Sequence, residues 1–351
     1  MSLDRIRLAS LHDKVISAEE ASAFIEDGMT VGMSGFTRAG EAKAVPLALV
    51  KRAHTNPLKI TLITGASLGN DLDKQLTEAG VLARRLPFQV DNTLRKAINN
   101  GEVMFIDQHL SETVEQMRNL QLKKPDVAII EAVAITEDGG IIPTTSVGNS
   151  ASFAIFAEKV IVEINTNLSP AFEGLHDIYI PTYRPTRQPI PLTQVDERIG
   201  THAINIDPAK IVGIVINNDL HDSPSTVTAP DDETQGIADH LIAFFEKEVA
   251  EERLPKNLGP LQAGIGSIAN AVLTGLKDSN FEDLVMYSEV LQDCTFELID
   301  AGKMKFASGS SITLSAKYGE KVFNNLEAYK DKLVLRPQEI SNHPELVRRL
   351  G

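Results

Sequence analysis

A short glycine-rich run in the C-terminal part of the sequence could bind an anion. It matches the pattern G-x-G-x-x-A and reads Gly264-Ile265-Gly266-Ser267-Ile268-Ala269. A predicted strand precedes the run and a helical pattern follows it. Its backbone amides therefore lie at a predicted helix start, which attracts phosphate, carboxylate or an oxyanion. The alternative is that the glycines only form a tight turn, but position and direction favour the anion site.

Glu289 is an acidic residue whose position in the predicted fold could give its carboxylate a functional role. It lies 25 residues beyond Gly264, at the end of the predicted strand LVMYS. At this spacing its carboxylate could accept hydrogen bonds from an adenine ribose, as in a dinucleotide site. It could instead face the glycine run across a cleft and act as a nucleophile. A solvent-facing glutamate at a strand end is the third interpretation, and the local pattern leaves all three open.

An earlier glycine-rich segment runs from Gly32 to Phe36. The order G-x-S-G around Ser34 lacks the final glycine of a nucleophile elbow, and no partner histidine is indicated, so a serine hydrolase is disfavoured. A plain turn or a backbone oxyanion site fits better. Gly35 and Phe36 are the oxyanion candidates.

Cysteine and histidine usage argues against a metal centre. Cys294 is the sole cysteine in the sequence, which excludes an intramolecular disulfide and suits a reducing compartment. It stands among apolar residues, as a small core side chain does. The eight histidines show no H-x-x-x-H or similar ligand spacing. We expect no metal.

The charge of the chain limits its partners. The sequence has 34 lysines and arginines against 48 aspartates and glutamates, a net charge of −14. An acidic surface repels nucleic acid and anionic lipid, so neither is an expected partner. The N-terminus lacks the apolar core of a secretory signal, and no apolar run reaches the ~18 residues that span a bilayer. We expect a soluble cytoplasmic protein, with the mitochondrial matrix as the alternative.

The pattern of apolar runs predicts an α/β fold. Six runs rich in β-branched residues alternate with helical stretches and are nearly continuous in apolar residues, as in strands buried on both faces of a parallel sheet. They are residues 30–35, 59–64, 103–107, 126–136, 159–165 and 210–217. Ser17 followed by Glu20 predicts a capping box that opens a helix running to Gly28.

The 351 residues predict two domains. The polar segment 221–235 marks the boundary, giving an N-terminal domain over 1–225 and a C-terminal domain over 226–351. The second domain repeats the order strand, glycine loop, helix of residues 30–53. It is short.

The sequence resembles the class I coenzyme A transferases, specifically the acetyl-CoA hydrolase/transferase branch. The resemblance covers essentially the whole chain. It is carried by VGMSGFTRAGEAKAVP (31–46), TTSVGNS (144–150), HDIY and RQPIP (within 176–191), LQAGIGSIANAV (261–272), MYSEVLQD (286–293), ASGSSITLS (307–315) and RPQEISNHPE (336–345). It implies two related open, mainly parallel α/β domains with the active site between them.

The resemblance also implies a ping-pong transfer of coenzyme A between short-chain acyl-CoA and carboxylates such as acetate, propionate and succinate. The family's glutamate falls on Glu289, which would form an acyl-glutamyl anhydride and then a glutamyl-CoA thioester. Its CoA-binding loop falls on the run from Gly264 to Ile268, and Asn342 matches a position near the glutamate. Coenzyme A is then a substrate, and the resemblance implies no metal and no dissociable cofactor. We expect a homo-oligomer, namely a dimer.

Two further features bear on these expectations. Members of this family continue into a segment of the form G-x-G-G-S-G-D-F that this chain lacks. We therefore expect exposed apolar surface on the second domain and little turnover by these residues alone. Net acyl-CoA hydrolysis by water is the alternative on the same scaffold, and a dinucleotide-binding module is the alternative from another class.

Overall fold

The computed structural model describes residues 3–226 and 231–350. Within them, the N-terminal half forms a sheet with spatial order β4-β3-β2-β1-β5-β7-β8, in which all these neighbours are parallel and β6 pairs antiparallel with β5. The strands are β1 (Thr30–Met33), β2 (Ile60–Ile63), β3 (Leu82–Leu86), β4 (Met104–Phe105), β5 (Val127–Ile135), β6 (Ile141–Pro143), β7 (Lys159–Asn165) and β8 (Ile211–Asn217).

The predicted α/β class is confirmed, and the physical reason is visible in the central strand. Every residue of β5 is buried, because the sheet is covered on both faces. The helices of this half are α1 (Ala18–Ser22), α2 (Ala44–Ala53), α3 (Leu72–Glu78), α4 (Asn92–Asn99), α5 (Thr113–Arg118) and α6 (Ser150–Phe156). All six predicted strands are present, and β3 is one that the pattern did not predict.

The first α-helix is shorter than predicted. The capping box of Ser17 and Glu20 is present, as expected. However, α1 ends at Ser22 instead of reaching Gly28. The Arg52 guanidinium donates to the carbonyls of Ser22 and Ile25 and so provides a side-chain partner for carbonyl groups beyond the end of the helix.

The C-terminal half has a smaller parallel sheet of the same kind. Its order is β14-β12-β10-β9, and a separate parallel pair joins β11 to β13. The strands are β9 (Pro260–Leu261), β10 (Leu284–Tyr287), β11 (Val290–Leu291), β12 (Met304–Gly309), β13 (Ser311–Ile312) and β14 (Leu333–Leu335). The helices are α7 (Asp232–Ala250), α8 (Ser267–Asp278), α9 (Asp293–Asp300), α10 (Ala316–Phe323), α11 (Gln338–Ser341) and α12 (Pro344–Leu350).

The two sheets share one hydrophobic core. Val162 and Ile164 of β7 belong to the same buried cluster as Leu284 of β10 and Leu333 of β14. The predicted boundary after residue 225 adjoins residues 227–230, which lie outside the described residues, and it stays a prediction. Across 3–226 and 231–350, no helix combines the length and apolar character needed to cross a membrane.

Candidate active site

Glu289 occupies the point where two neighbouring strands of the smaller sheet end. It lies between β10 and β11, and its carbonyl accepts hydrogen bonds from the amides of Ser310 (2.7 Å) and Ser311 (3.2 Å). These amides follow β12, the parallel neighbour of β10. The backbone of Glu289 is thus held by strand geometry, whereas its side chain is partly exposed. A carboxylate so placed can meet a ligand at the carboxyl edge of the sheet.

Asn342 holds the carboxylate of Glu289. Its Nδ2 donates to Glu289 Oε1 over 2.6 Å. Asn342 follows the last residue of α11, and that helix is anchored at its start by Gln338, whose amide donates to the carbonyls of Gly65 and Leu110. The hydrogen bond engages one of the two carboxylate oxygens with a neutral donor, so the glutamate is oriented without being neutralised.

A cleft of about 500 Å³ surrounds this pair and is lined from both halves of the chain. Gln108 and His109, which follow β4, face it together with Glu289 and Asn342. The hydroxyl of Tyr287 also belongs to the cleft but donates to the carbonyl of Ile340 over 2.5 Å. Burial raises the pKa of Tyr287, so this hydroxyl stays protonated at neutral pH.

The glycine run lies next to this glutamate. It connects β9 to α8, as predicted, and Gln292 donates to the Gly264 carbonyl over 3.1 Å. Ser288, the residue before Glu289, has its Oγ 3.5 Å from the amide and 3.3 Å from the carbonyl oxygen of Ala263. The two loops are therefore tied together at the end of the sheet.

The start of α8 is open to a ligand. Gly266 precedes the helix at φ +153° and supplies no side-chain cap, so the first amides of the helix are available. A Cβ atom added at Gly264 or Gly266 would meet no atom within 4 Å. Ile265 and Ile268 are 64% and 48% exposed and line an apolar pocket of about 550 Å³, together with Ser267. Gln262 lines both this pocket and the cleft of Glu289.

The oxyanion candidates Gly35 and Phe36 are outside the set of residues that line that cleft. The Phe36 amide donates to the carbonyl of Ala39 over 3.0 Å, so it is engaged in a turn and is not free for an oxyanion. Its ring packs against Val290, beside Glu289. Gly35 has φ +127°, and a Cβ there would lie 2.8 Å from Glu41 and Leu68, so packing alone requires glycine.

Comparison with known proteins identifies the family of this chain. Residues 2–216 match the family model for the acetyl-CoA hydrolase/transferase N-terminal domain. The chain belongs to this family. It is 45% identical over 349 residues to the succinyl-CoA:acetate CoA-transferase of Clostridium kluyveri, covering 99% of this chain and 65% of that protein. It is 44% identical over 358 residues to the acetyl-CoA hydrolase of Schizosaccharomyces pombe, covering 99% of this chain and 68% of that protein.

The fold of this acetyl-CoA hydrolase/transferase family member also has a solved counterpart. The crystal structure of RipA from Yersinia pestis matches with a TM-score of 0.71 at 17% identity, covering 97% of this chain and 72% of that one. The resemblance in fold is thus confirmed at low sequence identity. This chain spans 65% of the length of the Clostridium kluyveri relative.

Sequence reasoning on this family member missed two groups of polar residues. Gln108 and His109 directly follow the predicted strand 103–107, and polar residues after a parallel strand are a signal that could have found them. The second group is a buried ionic cluster in which Lys43 Nζ lies 2.6 Å from Glu131 and 2.7 Å from Asp222. In the described part of the chain, no three His, Cys, Asp or Glu side chains form a group that could hold a metal ion.

Proposed function

We propose that this chain carries the chemistry of coenzyme A transfer between short-chain acyl-CoA and carboxylates, with Glu289 as the nucleophile. The observation that carries the proposal is the 2.6 Å hydrogen bond from Asn342 to Glu289 in a cleft beside the glycine run. It orients a carboxylate that no cation neutralises among the described residues lining the cleft. Such a carboxylate keeps its nucleophilic oxygen available.

The proposed reaction has two covalent stages. A Glu289 oxygen attacks the carbonyl carbon of the acyl-CoA thioester, the C–S bond breaks, and CoA leaves as the thiolate while an acyl-glutamyl anhydride forms. The thiolate then attacks the glutamyl carbonyl carbon and releases the free acid, leaving a glutamyl-CoA thioester. An incoming carboxylate reverses these steps. Each stage exchanges one acyl bond for another, so no metal or redox group is needed.

The glycine run suits the anionic parts of this reaction. The first amides of α8 point a partial positive charge at a ligand, which can stabilise the oxyanion of the attack or hold the ligand close to Glu289. Gly264 to Ile268 would therefore bind coenzyme A. The tie between Ala263 and Ser288 supports this assignment, because it keeps the run and Glu289 in a fixed relation.

Acyl-CoA hydrolysis is the second candidate. Relatives of similar identity carry the name acetyl-CoA hydrolase, and the Glu289 side chain is partly exposed to water. Water attack on the anhydride or on the glutamyl-CoA thioester would give hydrolysis from the same intermediates. A dinucleotide site is disfavoured by the family, and by Asn342, which already occupies a Glu289 oxygen that a ribose would need.

Trapping the covalent intermediate tests the proposal. Incubation with succinyl-CoA followed by borohydride should reduce a glutamyl thioester to an alcohol, which mass spectrometry locates in the peptide that contains residue 289. Glu289→Gln should show no modification, and the exposed Glu282→Gln should behave as wild type. Modification of another residue, or none in the wild type, would contradict the assignment.

Two comparisons refine the test. Coenzyme A release with and without acetate separates transfer from hydrolysis, because only transfer needs the acceptor. A higher unfolding midpoint with acetyl-CoA than with NAD supports a CoA site, since a ligand of the folded state raises stability. The expected homodimer remains a prediction, which sedimentation would check.

A further inference from the structure

The cleft around Glu289 must bind a negatively charged acceptor in the proposed reaction. The acceptor is a carboxylate, and it must leave water for this cleft in a protein of net charge −14. Among the described residues that line the cleft, none is a lysine or an arginine. A carboxylate that enters without a hydrogen-bond donor loses hydration with no compensation. The acceptor therefore needs an N–H or O–H group from the cleft wall.

Most donors of the cleft are already engaged. The Asn342 amide donates to Glu289, the Tyr287 hydroxyl donates to Ile340, and the Ser288 hydroxyl bonds to Ala263. The amide of Gln108 donates to Gln116 Oε1 over 2.5 Å. Gln262 lies on the side of the glycine run, where it also lines the neighbouring apolar pocket. The Ser341 hydroxyl has no hydrogen-bond partner among the described residues, but Ser341 is only 4% exposed, whereas His109 is exposed.

His109 presents a donor whose tautomer is fixed by its neighbour. The backbone N–H of Ser111 lies 3.4 Å from His109 Nδ1, and Ser111 Oγ lies 2.8 Å from the same atom. A backbone N–H can only donate, so Nδ1 accepts and the neutral ring carries its proton on Nε2. Ser111 is 5% exposed, which makes it a rigid support for an exposed ring that lines the cleft.

We propose that His109 binds the acceptor carboxylate. Its Nε2–H donates to one carboxylate oxygen while the other oxygen attacks the carbonyl carbon of the Glu289–CoA thioester. The C–S bond breaks, CoA leaves as the thiolate, and the anhydride forms; His109 keeps its proton. The inference rests on the proposed function and adds to it that the N-terminal half supplies the acceptor site, whereas the C-terminal half supplies the nucleophile.

Steady-state kinetics with succinyl-CoA and acetate test this role. His109→Leu removes the donor and should raise the KM for acetate about tenfold or more, as expected for a lost hydrogen bond to a charged group. The KM for succinyl-CoA should stay within about twofold, since the CoA part of that substrate provides binding that does not depend on His109. His109→Gln retains an N–H donor and should recover most of the acetate affinity. His54→Leu, at an exposed position after α2, is the matched control.

An unchanged KM for acetate in His109→Leu, or an equal rise in both KM values, would overturn the assignment. If the wild-type chain transfers no CoA, the proposed function fails and direct binding decides the inference. Sodium acetate should then shift the imidazole NMR signals of His109 saturably, beyond the effect of sodium chloride at equal ionic strength. Absence of that excess shift would refute the acceptor site independently of turnover.

Discussion

The acidic residues around Lys43 and the acidic residue at the cleft differ in how they are held. Lys43 is 1% exposed, and its ammonium group contacts Glu131 (2.6 Å), Asp222 (2.7 Å) and the carbonyl of Glu41 (2.7 Å). Glu289 is partly exposed and has one neutral partner, Asn342. The first region surrounds a buried ammonium group with carboxyl groups, whereas the second orients one carboxylate and leaves it accessible.

This difference separates a structural role from a chemical one. Buried ions are tolerated only when each has partners, and removing one partner leaves an uncompensated charge. The cluster at Lys43 should therefore matter to folding. An accessible carboxylate with a single amide contributes little to stability but can react. Substitutions in the two regions should show opposite signatures.

The largest effect is expected from Glu289→Ala. Loss of the nucleophile should lower CoA transfer by about 10³-fold or more, because the covalent route is removed entirely. The thermal midpoint should stay close to that of the wild type, since the side chain is not part of the core. Initial rates measure the loss of CoA transfer, and a melting curve on the same preparation measures the thermal midpoint. Transfer that survives within about tenfold of wild type would show that the cleft is not the reactive region.

Lys43→Met should have the opposite effect, namely a loss of stability that does not come from the reactive cleft. It leaves the carboxylate of Asp222 without its cation and should lower the free energy of unfolding by about 3–5 kcal/mol. Chemical denaturation measures the change. Lys51→Met is the matched control on the same helix, because Lys51 is exposed and its ion pair with Glu19 is 3.8 Å long. Equal stability of the two variants would contradict a structural role for the buried cluster.

The sequence predicted the elements of the fold better than the partners within the sites. Apolar runs such as β5 and the glycine run before α8 carry local signals, and the structure has them where expected. Strand β3 was missed because its sequence LARRL breaks the apolar pattern. Arg85 is buried there against Asp73 at 2.8 Å, a partner that strand periodicity does not reveal.

Long-range partners also determine the buried cluster at Lys43 and the cleft at Glu289. Lys43 meets Glu131 across 88 residues, and Asn342 meets Glu289 across 53. Local pattern contains no information on such pairs. Asn342 was identified only through the family resemblance, and Lys43 and His109 were not identified at all. Tertiary packing determines which charges are buried and which face a cleft.

Asn342→Asp tests whether Asn342 orients the carboxylate of Glu289. The substitution keeps the size of the side chain but replaces the Nδ2 donor with a second carboxylate beside Glu289. We expect kcat to fall about 10- to 100-fold, the effect of losing a hydrogen bond to a charged group. Stability should change little because the site is partly exposed. Measurement of kcat at saturating succinyl-CoA and acetate checks this. A kcat within about twofold of wild type would mean that Asn342 does not orient the nucleophile.

Gly266→Ala and Gly264→Ala form a pair that tests the glycine run. Neither added Cβ would meet an atom within 4 Å, but only Gly266 has a φ, +153°, that side chains rarely adopt. We expect Gly266→Ala to weaken CoA affinity about 5- to 10-fold through backbone strain of about 1 kcal/mol or more, and Gly264→Ala to be near neutral. Calorimetric titration with CoA compares them. Equal affinities would indicate that the conformation of Gly266 is not required for binding.

The last expected effect concerns the dependence of stability on pH, and the buried cluster contributes to it. Burial, with a further contribution from Asp222, raises the pKa of Glu41 to about 7, and burial raises the pKa of Glu131 to about 8, from the ordinary 4.5. A carboxyl group with a raised pKa binds its proton more tightly in the folded state. Unfolding therefore releases protons at pH values between the ordinary pKa and the raised pKa. Its stabilisation is present below about pH 4.5 and is lost as the pH rises through 7 and 8. The free energy of unfolding should therefore fall between about pH 6 and about pH 9, and Glu41→Gln should reduce that slope because it removes one titrating group. Urea denaturation across this range, with Glu282→Gln as the exposed control, checks the sign. A free energy of unfolding that rises with pH in the wild type would mean that the buried cluster holds no extra proton in the folded state.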